Sequence, residues 1–152
     1  MFLTLAHIGP KQAKSGAKSG YDSLTRLYIE RIAPYSAIQS EAFVTESAFL
    51  AWLGKQHTRV PALSILLDPR GKQLSSPDLA HWLGNRRDQG SQHLVFAIGP
   101  PDGWSKPALA QAHLSLSFGP ITMPHELARL VLAEQLYRAC TILQGHPYHS
   151  GH

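Results

Sequence analysis

HLVFAIGPPDG, residues 93–103, carries the pattern that sets the architecture of this chain. After its histidine the run up to Gly99 is apolar at every position, with no polar–apolar alternation. A strand of that kind is buried on both faces, as in parallel sheets covered by helices. Gly99-Pro100-Pro101-Asp102-Gly103 then ends it, because these residues form tight turns and proline withholds a ladder N–H. ALSILLD (62–68) is a second run of the same type, followed by an expected turn at PRGK (69–72).

Working outward, FLTLAHI (2–8) reads as a strand stopped by Gly9-Pro10. KQAKSGAKSG (11–20) carries the tetrapeptide AKSG twice and reads as a short, flexible, basic loop. Leu24, Leu27, Tyr28 and Ile32 recur at helical spacing and predict one helix face, closed before Pro34. AIQSEAFVT (37–45) predicts a strand, and Phe49, Leu50 and Leu53 a short helix. Ser76-Pro77 is expected as the N-cap and first residue of a helix to about Arg87. Ser105-Lys106-Pro107 opens a further short helix. HLSLSF (113–118) is a fifth strand, followed by GPITMP (119–124), with Pro124 expected at the first position of the next helix. The last helix runs from about His125 to Gln144, capped by Gly145, with Glu134 and Arg138 spaced for an i,i+4 pair. This alternation argues for an α/β fold, a mainly parallel sheet with helices on both faces, in one domain over residues 1–152. Ligands in such folds sit beyond the carboxyl ends of the strands, where PRGK, GPPDG and GPITMP fall.

Composition narrows the class. The chain has 152 residues, 43% of them apolar, enough for a soluble core without staples. Cys140 is the only cysteine, which excludes an intramolecular disulfide and suits a reducing compartment. The start, MFLTLAHIGPK, lacks the basic region and long apolar core of a signal peptide. No apolar run approaches the roughly 20 residues of a membrane span. A cytoplasmic protein is therefore expected. The net charge of +4 and a pI near 9.4 favour an anionic partner such as nucleic acid.

Several chemistries have no motif here. There is no Walker A loop, no G-x-G-x-x-G, no CxxC and no G-x-S-x-G elbow. The tail HPYHSGH (146–152) spaces His146, His149 and His152 by three, but without a nearby Cys, Asp or Glu it matches structural zinc sites poorly. A frayed terminus is the plain alternative.

IGPPDGW, then LSLSFGPITMPHELARLVLAEQLYRACTILQGHPYHS, resembles the RlmH family of bacterial SPOUT-class methyltransferases. The family pattern reads IGGxxG, then LSxxTxPHxLxRxxLxEQxYRAxxIxxxxPYHR. His125 through Arg129, Glu134-Gln135, Tyr137-Arg138 and Pro147-Tyr148-His149 match it in order and spacing. LLDPRGK and the serine pair before the next helix fit as well. The likeness covers nearly the whole chain and is weakest from 35 to 60.

This resemblance implies a SPOUT fold with a deep trefoil knot in the C-terminal half, an obligate homodimer and S-adenosylmethionine as methyl donor. It implies N3-methylation of a pseudouridine in helix 69 of 23S ribosomal RNA, on assembled ribosomes rather than free RNA. Two positions depart from the pattern: Pro100 stands where the family has its second glycine, and Ser150 where it has a basic residue. A SPOUT-fold protein that binds ribosomes without catalysis is the rival these departures suggest. A flavodoxin-like nucleotide binder is a third reading, which leaves the PYH tail unexplained.

By position, the resemblance assigns the cofactor to Leu67, Gly99 and the run Phe118, Gly119, Pro120, Ile121, Thr122 and Met123. Main-chain groups would hold it, with apolar side chains about the base. Without the resemblance, Leu67 and Phe118 read as ordinary core. The last helix is apolar around most of its circumference, through Leu127, Leu130, Val131, Leu132, Leu136, Ala139, Ile142 and Leu143. Such a helix is buried on several sides, one of them suited to a subunit interface. Arg129 and Arg138 read as ion-pair partners, RNA contacts or both. Lys11, Lys14 and Lys18 are candidate phosphate contacts on their loop, with a solvated loop as the alternative. Methyl transfer from a sulfonium to an imide nitrogen needs no metal and no covalent intermediate. It needs alignment and loss of the imide proton. Tyr148 and His149 are the expected catalytic pair, completing the site from the same subunit or across the dimer interface. His146 and His149 are candidate bases, and positioning of RNA is the other role open to His149. His125 and Trp104 are each ambiguous between packing and ligand contact.

Overall fold

All strand pairs in the sheet are parallel, and the order is β2-β1-β4-β3-β5. The computed structural model describes residues 1–9, 20–56 and 60–150. Its elements are β1 (Phe2–Ile8), α1 (Gly20–Ile32), β2 (Ala37–Phe43), α2 (Glu46–Gly54), β3 (Leu63–Gln73), α3 (Ser76–Asp88), β4 (His93–Ile98), α4 (Lys106–Gln111), β5 (Leu114–Ser117) and α5 (His125–Leu143). β4 is central and buried along its whole length, as the unbroken apolar run of the opening stretch requires.

Alternate residues of the central strands feed two cores. Leu94, Phe96 and Ile98 join Leu3, Leu5 and Ile65 under α1, α3 and α5. Val95 and Ala97 join Ala6, Ile8 and Leu66 under α2 and α4, around Phe49 and Trp104. Helices therefore cover both faces, and the α/β architecture follows the alternation of the sequence.

Four local expectations give way. Thr45 leaves the expected second strand to cap α2, its hydroxyl accepting from Ala48 N at 3.0 Å. Ser75, with extended backbone, caps α3 and accepts from Asp78 N at 3.1 Å, which frees Ser76 to donate to Gln135 Oε1 at 2.6 Å. Pro124 occupies the N-cap of α5 rather than its first turn, and no side chain caps that helix. On α1 the buried residues are Thr25 and Ile32, while Leu24 and Leu27 are 47% and 38% exposed. Spacing located that helix correctly, and Tyr28 and Ile32 of the expected face do pack on the core, but the buried face is turned toward Thr25 and Ile29 and away from Leu24 and Leu27.

Candidate functional site

The expected turn at PRGK is instead a bulge inside β3. Leu67 and Lys72 both pair with Leu116, so residues 68–71 loop out between them. Gly71 lies so close to β5 that a Cβ there would sit 2.6 Å from the Ser115 carbonyl oxygen. Asp68 Oδ1 accepts from Arg70 N at 3.2 Å and shapes the loop from within. Ser117 Oγ donates to the Pro69 carbonyl at 3.0 Å and ties the loop to the end of β5.

This bulge in the middle of β3 forms one wall of a cleft of about 670 Å³ at the carboxyl ends of β4 and β5. Leu67, Gly99, Phe118, Gly119, Ile121, Thr122 and Met123 all line it, so residues from three loops converge. Pro120 belongs to the same loop but not to the lining. Gly119 has φ +101°, a conformation that glycine takes without a steric penalty. Gly99 is fixed by contact: Trp104 lies against it, and an added Cβ would fall 2.7 Å from the indole Nε1. That Nε1 donates to the Leu67 carbonyl at 3.0 Å. Trp104 is thus a buried side chain, 7% exposed, that joins the ends of β3 and β4. Pro100 opens a turn in which its carbonyl accepts from Gly103 N at 2.9 Å, with Pro101 second, where proline is favoured.

α5 closes the cleft with Pro124, His125 and Ala128. Behind His125 stands His7 at the carboxyl end of β1, the rings edge to face at 5.6 Å. Burial lowers the His7 pKa to about 4, with repulsion from Arg129 and His125 adding to it. His125 is lowered as well, chiefly by burial. Arg129 is turned inward, its side chain 12% exposed. It donates from Nη2 to Ser40 Oγ at 2.7 Å and pairs through Nη1 with Asp22 at 3.4 Å. The guanidinium thereby ties α5 to α1 and β2. His7 and Asp68 went unremarked in the sequence; the available signal was a titratable side chain at the carboxyl end of a strand.

The tail forms a separate cluster. Arg138 donates to Glu134 Oε1 from Nη2 at 2.6 Å and from Nε at 3.0 Å, realising the expected pair. Tyr148 Oη donates to the same oxygen at 3.0 Å, and Gln135 Nε2 donates to Glu134 Oε2 at 2.7 Å. The Tyr148 ring packs against Tyr137 at 4.6 Å and under the Arg138 guanidinium at 4.9 Å. Burial, then hydrogen bonding with Tyr28 and Glu134, pushes the phenol pKa well up. Arg138 Nη1 lies 3.1 Å from His149 Nδ1. Residues 146–150 therefore dock on the C-terminal half of α5. Arg138 stands thirteen residues beyond His125, about 20 Å along the helix at its usual rise. The cleft reaches Ala128 on the same helix, six residues or about 9 Å before Glu134, so within one chain the tail docks one to two turns beyond it.

Lys11, Lys14, Lys18 and His152 fall outside the described residues. Among the described residues no three His, Cys, Asp or Glu side chains gather as a metal site, and no helix is long and apolar enough to cross a membrane. Cys140 is buried, and burial pushes its thiol to about 11, which leaves it unreactive.

Residues 1–149 match the family described as predicted SPOUT methyltransferase. The chain is 50% identical over 135 residues to the ribosomal RNA large subunit methyltransferase H of Koribacter versatilis (strain Ellin345), covering 89% of this chain and 92% of that protein. It is 60% identical over 85 residues to the protein of the same name from Mesorhizobium japonicum, covering 56% of this chain and 53% of that protein. The crystal structure of the SpoU methyltransferase AviRb from Streptomyces viridochromogenes, in complex with the cofactor AdoMet, aligns over 96% of this chain with a TM-score of 0.50 at 10% identity. This chain spans 58% of that structure's length, and the likeness is one of fold.

Proposed function

The chain belongs to the SPOUT methyltransferase family, and from that premise we propose that it methylates N3 of a pseudouridine in helix 69 of 23S ribosomal RNA. The donor is S-adenosylmethionine, the substrate is the assembled ribosome, and the active species is a homodimer in the cytoplasm. The deep trefoil knot of the C-terminal half is part of this reading. The observation that carries it is the convergence of the β3 bulge and the loops after β4 and β5 on one cleft next to the start of α5.

The cleft suits the cofactor. Its walls are apolar at Leu67, Ile98, Phe118 and Met123, and Gly119, where a Cβ would meet nothing within 4 Å, leaves main chain open to a ligand. Main-chain N–H and C=O groups can read an adenine edge, and the apolar walls exclude water from it. When bound, the sulfonium of S-adenosylmethionine supplies an electrophilic methyl group. The protein's part is to hold the imide nitrogen in line with that methyl and to assist loss of the imide proton.

Tyr148 and His149 serve a neighbouring copy's cleft in this reading, because α5 separates them from their own. Tyr21, Leu24 and Leu27 form an exposed apolar stripe on α1 beside half-buried residues of α5, a surface suited to a second copy. Arg129 and Arg138 then position the site from within, and Lys11, Lys14 and Lys18 contact RNA phosphates.

The test uses ribosomes from a strain lacking this gene, purified protein and methyl-labelled S-adenosylmethionine. Label is expected on the helix 69 pseudouridine, with free ribosomal RNA inert. A folded dimer that binds ribosomes and transfers no label would overturn the enzymatic reading in favour of a ribosome-binding protein.

A further inference from the structure

The hydrogen bonds of the tail identify which of its groups retain a lone pair for proton abstraction. Arginine carries only donors, so the 3.1 Å contact makes Arg138 Nη1 the donor and His149 Nδ1 the acceptor. The neutral ring then carries its proton on Nε2. His146 Nδ1 is likewise engaged, accepting from Tyr148 N at 3.2 Å. The phenolic proton of Tyr148 is committed to Glu134. None of the three side chains offers a free basic nitrogen or oxygenate in this arrangement. His149 Nε2 has no hydrogen-bond partner among the described residues although it is shielded from solvent. A buried N–H without an acceptor is costly, and because the His149 ring as a whole is only half-buried, a shift of the tail on docking would open Nε2 to a carbonyl from outside the chain.

Resting on the proposed methylation, we infer that His149 acts as a hydrogen-bond donor to a carbonyl oxygen of the target imide rather than as its general base, with Arg138 selecting the Nε2–H tautomer and Glu134 anchoring Arg138. The imide N3–H passes its proton to water or hydroxide. The electron pair left on N3 forms the N–CH₃ bond, while the pair of the broken C–S bond returns to sulfur as a neutral thioether. As N3 loses its proton, negative charge spreads onto the two flanking carbonyl oxygens. An N–H aimed at one of them stabilises the imidate, in the manner of an oxyanion donor. Tyr148, pinned by Glu134 and packed on Tyr137, supplies a flat surface beside that donor.

The discriminating experiment compares substitutions that keep or remove the donor without a base. A glutamine amide N–H falls near the position of imidazole Nε2, and an asparagine amide near Nδ1. His149→Gln is therefore expected to retain transfer to ribosomes within about tenfold of wild type. His149→Ala and His149→Asn are expected to lose about a hundredfold or more, the scale of removing one oxyanion donor. The wild-type rate should rise with pH through neutrality without an inflection in the histidine range. ¹⁵N NMR of the labelled, unliganded protein should show His149 as the Nε2–H tautomer, and Arg138→Ala should return it to a mixture. The inference is overturned if His149→Gln is as inactive as His149→Ala in a folded dimer. An inflection near 6.5 that disappears in His149→Gln, or an Nδ1–H tautomer, overturns it as well. A wild-type protein that transfers no label removes the premise instead, and so is distinct from a labelled wild type with a dead glutamine variant.

Discussion

Gly99→Ala tests the cleft wall directly. The new Cβ would lie 2.7, 2.8 and 3.0 Å from three atoms of the Trp104 ring, and that ring is rigid and 7% exposed. Either the indole or the end of β4 must shift. Overpacking of this kind costs about 1–3 kcal/mol. Displacing the indole also strains its hydrogen bond to the Leu67 carbonyl, a contribution of about 1 kcal/mol. Gly99 is not at positive φ, so alanine recovers about 0.4–1 kcal/mol of unfolded-state entropy. The net loss is about 1–3 kcal/mol, or about 3–10 °C in Tm for a chain of this size. S-adenosylmethionine should bind at least tenfold more weakly, about 1.4 kcal/mol, because the displaced ring narrows the cleft. Differential scanning calorimetry and isothermal titration calorimetry measure the two effects. Gly54→Ala is the control: a Cβ there meets nothing within 4 Å, at the end of α2. A Gly99→Ala protein with Tm within about 1 °C and affinity within about twofold of wild type would show that this contact carries neither the wall nor the site.

Two further outcomes follow from the charged clusters. Glu134→Gln replaces the ionised acceptor of Arg138 and Tyr148 by an amide, weakening charge-assisted bonds worth about 1.5–3 kcal/mol at most. Transfer to ribosomes should fall at least tenfold with cofactor affinity unchanged, and an unchanged rate would show that the tail needs no anchor. His7 has its folded pKa lowered from 6.5 to about 4, so the unfolded chain binds the extra proton between those values. Stability from the neutral ring is therefore complete above 6.5 and is lost as pH falls toward 4. The whole drop corresponds to about 3 kcal/mol, which partial solvent access reduces to about 1–2 kcal/mol. Urea unfolding of wild type and His7→Gln from pH 7.5 to 4 should show the gap between them narrowing on acidification, and a constant gap would contradict the assignment.

Particular residues show how far the linear reading reaches. β4 and the first half of β3 were legible because a strand buried on both faces is apolar throughout, whatever surrounds it. The bulge at 68–71 was not. Asp-Pro-Arg-Gly is equally good turn chemistry in a loop and in a bulge, and only the return of Lys72 to Leu116 distinguishes them. The choice between Ser75 and Ser76 as cap depended on Gln135, fifty-nine residues away, taking the other hydroxyl. Leu24, Leu27, Tyr28 and Ile32 share helical spacing, yet the fold buries only the Tyr28 and Ile32 edge of that face, together with Thr25, and leaves the two leucines exposed.

The candidate cofactor residues were placed by resemblance, and seven of the eight line one cleft. What no spacing could supply was the distance between that cleft and the tail, or the state of the tail's protons. Strand and helix identity depend on short-range sterics and on the period of apolar residues, which a linear sequence contains. Which histidine lone pair remains open depends on Arg138, and Arg138 on Glu134. The separation of Tyr148 and His149 from their own cleft depends on the length and direction of α5. Those are long-range relations among side chains, and they exist only once the sheet, the bulge and the last helix have packed together.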